Sequence, residues 1–250
     1  FFFAVSASMS ARVSIVIPAL NEEADLPGTL ETLRQLQPPP LEIFVVDGGS
    51  TDSTADIARA GGARVISAPR GRANQLNEGA KEAKGDVLLF LHADTHPPLD
   101  VVTRVEGALK DPKVQGGCFS LRFDTEKSSF WLWLYGRTTD WWIFRSPTFA
   151  FGDRAQFVRR SIFEELGRFA PVPILEDVDL AVRLTKRSAK SWVFLTTPVV
   201  TSARRFEKFG VLGQQCLNAR ILLFWHMGYT PEQLKKYYSY GPAPELKKDG

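Results

Sequence analysis

Between Val13 and Pro98, short β-branched or apolar runs alternate with helical segments, and each run stops abruptly at a polar or glycine-rich cluster. Val13–Ile17 ends at Pro18, Ile43–Val46 at Asp47-Gly48-Gly49-Ser50, Val65-Ile66 shortly before Arg70-Gly71-Arg72, and Val87–Leu91 at His92-Ala93-Asp94. Runs this short and this apolar read as strands buried on both faces. The segments between them carry helix signals. Asp25-Leu26-Pro27 opens a helix with Leu26, Leu30 and Leu33 on one face, Asp52 can cap a helix running to Ala60, and Ala73–Ala83 is closed by Gly85. Strand and helix alternating at this spacing predict an α/β fold, with a mostly parallel sheet flanked by helices. Ligands of such sheets bind beyond the carboxyl ends of the strands. The clusters that follow the strands, Asn21-Glu22-Glu23 included, are therefore the candidate site.

Composition narrows the chemistry. Lys and Arg exceed Asp and Glu by only three, which gives no reason to expect a nucleic-acid partner. Cys118 and Cys216 stand alone, and three histidines cannot build a histidine cage, so neither a disulfide framework nor a zinc site is expected. No glycine fingerprint follows a strand, which argues against a dinucleotide-binding dehydrogenase, and Ala19-Leu20-Asn21-Glu22-Glu23 lacks the glycines of a nucleotidyltransferase phosphate loop. The first residues, Phe1 to Met9, read either as the tail of a targeting segment or as sequence upstream of a start at Met9. Residues 1–10 are set apart from a catalytic domain at 11–203 and a helical extension at 204–250.

The second half is less regular. Gln115–Phe123, Phe149–Phe157 and Ser191–Thr196 read as strands, and Phe209–Met227 with Pro231–Tyr238 as a C-terminal helical hairpin. Leu175-Glu176-Asp177-Val178-Asp179-Leu180 opens a helix whose acidic residues suit its positive end, with Asp179 spaced to meet Arg183. Glu176-Asp177, an acidic pair at a helix start behind the apolar Ile174-Leu175, is the best candidate in the sequence for a general base. Arg72 enters a helix N-terminus that favours anions, so it suits nucleotide phosphates, though a solvated surface arginine fits as well. Asp153 reads either as an acceptor-side residue or as a partner of Arg154.

Four segments taken in order, Ser14–Glu23, Val46–Asp52, Leu91–Asp94 and Glu176–Leu180, resemble the family 2 glycosyltransferases with a GT-A fold, over roughly residues 12–200. The His92-Ala93-Asp94-Thr95, Phe151-Gly152-Asp153 and Ala203-Arg204-Arg205-Phe206 segments resemble a bacterial-type subgroup with poorly defined acceptors. The resemblance implies an inverting hexosyl transfer from a nucleotide-diphosphate sugar, by default a UDP-sugar, to a hydroxyl acceptor. It implies a donor pocket lined by Pro18, Ala19, Glu22 and Gly48, with Asp47 accepting from ribose or base. It gives Asp177 the base role, with Glu176 orienting Asp177 or the acceptor. The family's Asp-x-Asp metal motif falls on His92 and Asp94. Asp94 suits Mg²⁺ or Mn²⁺, whereas His92 suits Mn²⁺, a phosphate hydrogen bond or a plain strand cap. Arg205 loosely matches the arginine of a Gln-x-x-Arg-Trp motif and can brace the leaving diphosphate. Ser202 and Phe206 replace the Gln and Trp of that motif, which disfavours processive polymerisation. The rival reading is a non-catalytic nucleotide-sugar binding module, with His92 marking a lost metal site.

Trp131, Trp133, Trp141 and Trp142 read as core and lid packing, as stacking platforms for sugars, or as a lipid-facing set. Residues 203–250 hold eight Lys and Arg against four Asp and Glu, and Leu217–Trp225 is strongly apolar. The hairpin therefore reads either as packed on the catalytic domain or as a peripheral membrane element beside a lipid or lipid-linked acceptor.

Overall fold

The computed structural model describes residues 12–124, 130–143, 150, 152–204, 206 and 210–239, with side chains to 236. Among these residues eight strands form one sheet in the order β3-β2-β1-β4-β7-β6-β8-β5. Strands β1 (Val13–Ala19), β2 (Glu42–Asp47), β3 (Arg64–Ser67) and β4 (Val87–Phe90) are mutually parallel. Their connections are α1 (Leu26–Arg34), α2 (Thr54–Ala60) and α3 (Arg72–Glu82). The β1–β2 register sets Ala19 opposite Asp47, so the polar clusters that follow these strands emerge at one edge.

Alternating residues of β1 enter two different cores. Ile15 and Ile17 pack with Leu26, Leu30 and Leu33 of α1 and with Val101 and Val105 of α4 (Val101–Ala108). Val16 packs on the other face with Phe44, Val46, Leu76 and Ala80, together with Leu180 and Leu184 of α7 (Glu176–Arg187). Each of these strands thus needs apolar side chains at successive positions, which is the pattern their sequences carry.

The other half of the sheet departs from a purely parallel plan. β6 (Gly116–Phe123) and β8 (Trp192–Thr201) are parallel, but β7 (Gln156–Arg159) runs antiparallel to both β4 and β6, and β5 (Thr95–His96) runs antiparallel to β8. The strand expected over Phe149–Phe157 begins only at Gln156, because Gly152–Arg154 forms a 3₁₀ turn and Ala155 has φ +49°. The strand expected to stop at Thr196 continues to Thr201. A register irregularity opposite Phe119 and Ser120 lets it pass Pro198. Helices α4 and α6 (Arg160–Glu165) were not anticipated.

The aromatic stretch is one helix, α5 (Phe130–Ile143). Helices α8 (Val211–His226) and α9 (Pro231–Ser239) form the expected hairpin. Leu217, Ile221 and Leu234 pack it against Ile174, Leu175 and Val178. No helix among the described residues is long and apolar enough to cross a membrane.

Candidate active site

The cleft lies at the carboxyl edge of the parallel strands. The β1 and β2 ends are tied there by Gln75, a buried side chain of α3, whose amide donates to Ala19 O and Val46 O at 2.8 Å each. The two following loops are also stitched together. Asp47 accepts from the Ser50 amide at 3.1 Å and from the Ser50 hydroxyl, and Ser50 Oγ in turn accepts from the Asn21 amide at 2.9 Å. The Glu22 amide donates to Thr54 Oγ1 at 2.8 Å, which fixes Glu22 at the cleft. Gly49, with φ +92°, supplies the left-handed residue this turn requires.

The opposite wall is the start of α7. Leu175 precedes it with φ +65°, an unusual conformation for a branched side chain, held by burial among Ile174, Val178 and Ile221. Asp177 is 4% exposed and accepts from the amides of Gly152, through Oδ2, and Val178, through Oδ1. Arg72 pairs with Glu176 and stands 3.6 Å from Asp177 Oδ2. Burial pushes the Asp177 carboxyl up, and the adjacent Glu176 charge pushes it further. Arg72 and the two amides oppose them, and the net result is a rise to about 6. Burial by itself would lower the Arg72 guanidinium, but Glu176 and Asp177 hold it above its ordinary value.

A second charged cluster closes the cleft. Arg204 grips Glu22 with two bonds, at 2.8 and 2.9 Å, and also reaches Asp25 at 2.7 Å and Asp94 at 3.2 Å. Burial raises the Asp94 carboxyl above its usual range, with the neighbouring Glu22 and Asp25 adding to the rise, while Arg204 counters it. The bonds to Glu22 hold Arg204 protonated.

His92 and Asp177 face each other across Gly152. A Cβ at that position would stand 2.9 Å from Asp177 Oδ2 and 3.0 Å from His92 Nε2, so a side chain there would displace one or both groups. Among the described residues no three His, Cys, Asp or Glu side chains gather into a metal cage. Asp94 and His92 both line the cleft, however. One hard carboxylate is a donor that Mg²⁺ or Mn²⁺ takes alongside diphosphate oxygens and water, and a ring nitrogen beside it suits Mn²⁺ rather than Mg²⁺.

Beyond Asp177 the lining turns apolar. Phe123, Tyr135 and Phe206 pack as a trio with ring centroids 4.9–6.0 Å apart. Asn218 of α8 donates to the Tyr135 hydroxyl at 3.2 Å, and burial pushes that phenol up to about 12.

The anticipated residues divide cleanly. Pro18, Ala19, Glu22, Arg72, His92, Asp94 and Asp177 line one cleft, with Asp153 beside them. Asp47 and Gly48 do not line it. The Asp47 carboxylate is engaged by its own turn, and Gly48 backs onto Gln75. Glu176 does not line this cleft but the small pocket adjoining it, with Arg72, His92 and Asp177. It holds Arg72, and its Oε2 is buried without a hydrogen-bond partner among the described residues. Arg205 lies outside the described residues, and the neighbouring Arg204 is the one in the cleft. Arg154 pairs with Asp140 of α5 at 2.6 Å. Gln75, Asp25 and Arg204 escaped the sequence reading. Only the double arginine at 204–205 gave a signal, and Glu22 lies 182 positions from Arg204.

The sequence model of Glycosyl transferase family 2 matches residues 14–167. A probable glycosyltransferase of Bacillus subtilis, YdaM, is 31% identical over 197 residues, covering 69% of this chain and 46% of that protein. The undecaprenyl-phosphate 4-deoxy-4-formamido-L-arabinose transferase of Pseudomonas aeruginosa is 31% identical over 172 residues, covering 62% and 49%. The chain thus spans about half the length of these curated relatives. The fold matches that of glucosyl-3-phosphoglycerate synthase from Mycobacterium tuberculosis, solved with Mn²⁺, UDP and its product, at TM-score 0.60 and 21% identity, covering 83% of this chain and 80% of that one. It also matches the mannosyltransferase PcManGT of Pyrobaculum calidifontis, solved with GDP-mannose and Mn²⁺, at TM-score 0.63 and 22% identity, covering 86% and 63%.

Proposed function

The chain belongs to Glycosyl transferase family 2, and from that premise we propose that it transfers a hexosyl group from a nucleotide-diphosphate sugar, with inversion, to a hydroxyl of a lipid or lipid-linked acceptor. The observation that carries this reading is the meeting of Asp177, Arg72, Asp94 and the Glu22–Arg204 pair in one cleft at the carboxyl edge of the sheet.

Asp177 is the base. Two backbone amides fix its oxygens, and its raised pKa leaves it ionised at neutral pH yet more basic than a solvated carboxylate. It takes the acceptor proton as the hydroxyl oxygen bonds to the anomeric carbon and the bond to the diphosphate breaks. A single displacement by the acceptor oxygen, entering from the face opposite the leaving diphosphate, gives inversion. Glu176 is a positioning residue, keeping Arg72 against Asp177. Arg72 and Arg204 supply fixed positive charge beside the diphosphate. Asp94, with His92 alongside, would hold a divalent cation, and that cation would neutralise charge on the departing diphosphate. The solved relatives of the same fold that carry Mn²⁺ with UDP or GDP-mannose support a nucleotide-diphosphate donor. We assign the end of β1, with Pro18, Ala19 and Glu22, to the nucleoside end of the donor, and to Asp47 and Gly48 the shaping of the turn beside it.

The acceptor reading has two supports. The Pseudomonas relative is named for undecaprenyl phosphate, and the aromatic trio gives the cleft an apolar wall. The test is a thermal-shift screen of UDP- and GDP-sugars with and without Mn²⁺, followed by nucleotide-diphosphate release with hydroxyl-bearing lipids, a polyprenol and a glycolipid, as acceptors, and with polyprenyl phosphate as the contrasting acceptor that needs no base. Stabilisation by one donor and acceptor-stimulated release are the expected result, with Asp177→Asn losing the release and keeping the stabilisation. Donor binding without turnover on any acceptor would favour a binding module.

A further inference from the structure

Helix α5 turns most of its aromatic surface outward. Its protein-facing side carries Leu132 and Ile143 together with Gly136, Thr139 and Asp140, and Asp140 accepts from Arg154 at 2.6 Å and from the Ser120 hydroxyl. Its outer side carries Phe130, Trp131, Trp133, Trp141 and Trp142, each 46–65% exposed. A helix whose outer face ends at water carries polar residues there, not a run of aromatic ones. Four of the six tryptophans of the chain stand on this one face.

We infer that the outer face of α5 docks on an anionic lipid bilayer. The face is specific for lipid on three counts. Indole rings combine an apolar body with a donor N–H, the combination that settles at headgroup depth. Arg137 is exposed among them, and the only acidic residue of the helix, Asp140, is buried in its ion pair, so the face presents positive charge and no carboxylate. The inner side of the same helix carries Tyr135 into the apolar wall of the cleft, so a bilayer beneath α5 lies directly behind the acceptor side. At 14 residues the helix is suited to lie in the interface rather than cross it.

This deepens the lipid-acceptor reading but is tested without any acceptor. The full chain is sedimented with vesicles of phosphatidylcholine alone and of phosphatidylcholine mixed equally with phosphatidylglycerol. Wild type should partition into the mixed vesicles, and its tryptophan emission should be quenched by bromine-labelled acyl chains. The combined variant Trp131→Ser, Trp133→Ser, Trp141→Ser, Trp142→Ser should lose at least about tenfold in partitioning. Its stabilisation by nucleotide-sugar should be unchanged, which shows a folded cleft. Equal sedimentation of variant and wild type, or no quenching in wild type, overturns the inference. So does a wild-type dimer that the variant converts to monomer, because the face would then be a protein contact. Vesicle binding without donor stabilisation supports the docking surface and counts against the donor reading alone.

Discussion

Asp177 combines burial, two backbone amide donors and a neighbouring carboxylate, and the three pull its proton affinity in different directions. Burial and Glu176 prevail over Arg72 and the amides, and the pKa rises to about 6 from an ordinary 3.8. A base works ionised, so kcat/KM should climb as pH rises through about 6 and then level. Asp177→Asn should abolish that limb and lower kcat by roughly 10²–10⁴-fold, with donor affinity little changed. Loss of less than about tenfold in nucleotide-diphosphate release would remove Asp177 from the base role. The linkage to stability has the opposite sense. The folded chain binds this proton more tightly than the unfolded chain, so the stability it contributes is complete below 3.8 and disappears as pH rises through about 6.

Gly152 supplies a second test at this scale. A methyl group there would press within 3.0 Å of both Asp177 Oδ2 and His92 Nε2. Gly152→Ala should therefore cost activity out of proportion to stability, a tenfold or greater fall in kcat beside a small change in melting temperature, by roughly the sensitivity of catalysis to an ångström of misplacement. Equal activity in the alanine variant would show that neither group needs its present position.

Among the elements, α5 rests on a buried ion pair. Arg154 is 1% exposed and donates to Asp140 Oδ1, Thr139 Oγ1 and the Phe119 carbonyl. Removing Asp140 leaves that guanidinium buried without its counter-charge. Asp140→Ala should cost about 3–5 kcal/mol, read as a lower urea midpoint. A change under about 1 kcal/mol would mean that Arg154 finds water or another partner.

The same element marks where sequence reading stopped. Strands β1, β2 and β4 were legible because burial on both faces demands a continuous apolar run. Helix α1 was legible because Leu26, Leu30 and Leu33 repeat on one face. Helix α5 defeats that logic. Its buried side mixes Leu132 and Ile143 with Gly136, Thr139 and Asp140 while its outer side is aromatic, so periodicity does not single out the buried face. The site divides in the same way. Asp94 and Asp177 follow local signals, a strand end and a helix start. The union of Glu22 with Arg204 is made by tertiary closure alone, and nothing adjacent to either residue announces it.

Over the whole molecule, the sheet collects an excess of negative charge at its carboxyl edge. Glu22, Asp94, Asp153 and Asp177 line the cleft against only Arg72 and Arg204 among the described residues. Both guanidiniums are already held by carboxylates. A nucleotide diphosphate approaching this edge alone meets net repulsion that the two arginines do not cancel. A divalent cation entering with it reverses the balance, since Asp94 can then act as a ligand rather than as a like charge. Donor binding should therefore depend strongly on Mn²⁺ or Mg²⁺. At a donor concentration of about a hundred times Kd the folded state gains about 2.7 kcal/mol. For a chain of this size that corresponds to a melting temperature higher by roughly 5–11 °C. With a chelator in place of the metal, most of that gain should vanish, and Asp94→Asn should show the chelated behaviour even with metal present. If the donor stabilises the chain equally with and without metal, the two arginines suffice and Asp94 has some other work. The charge at this edge would then need a different account.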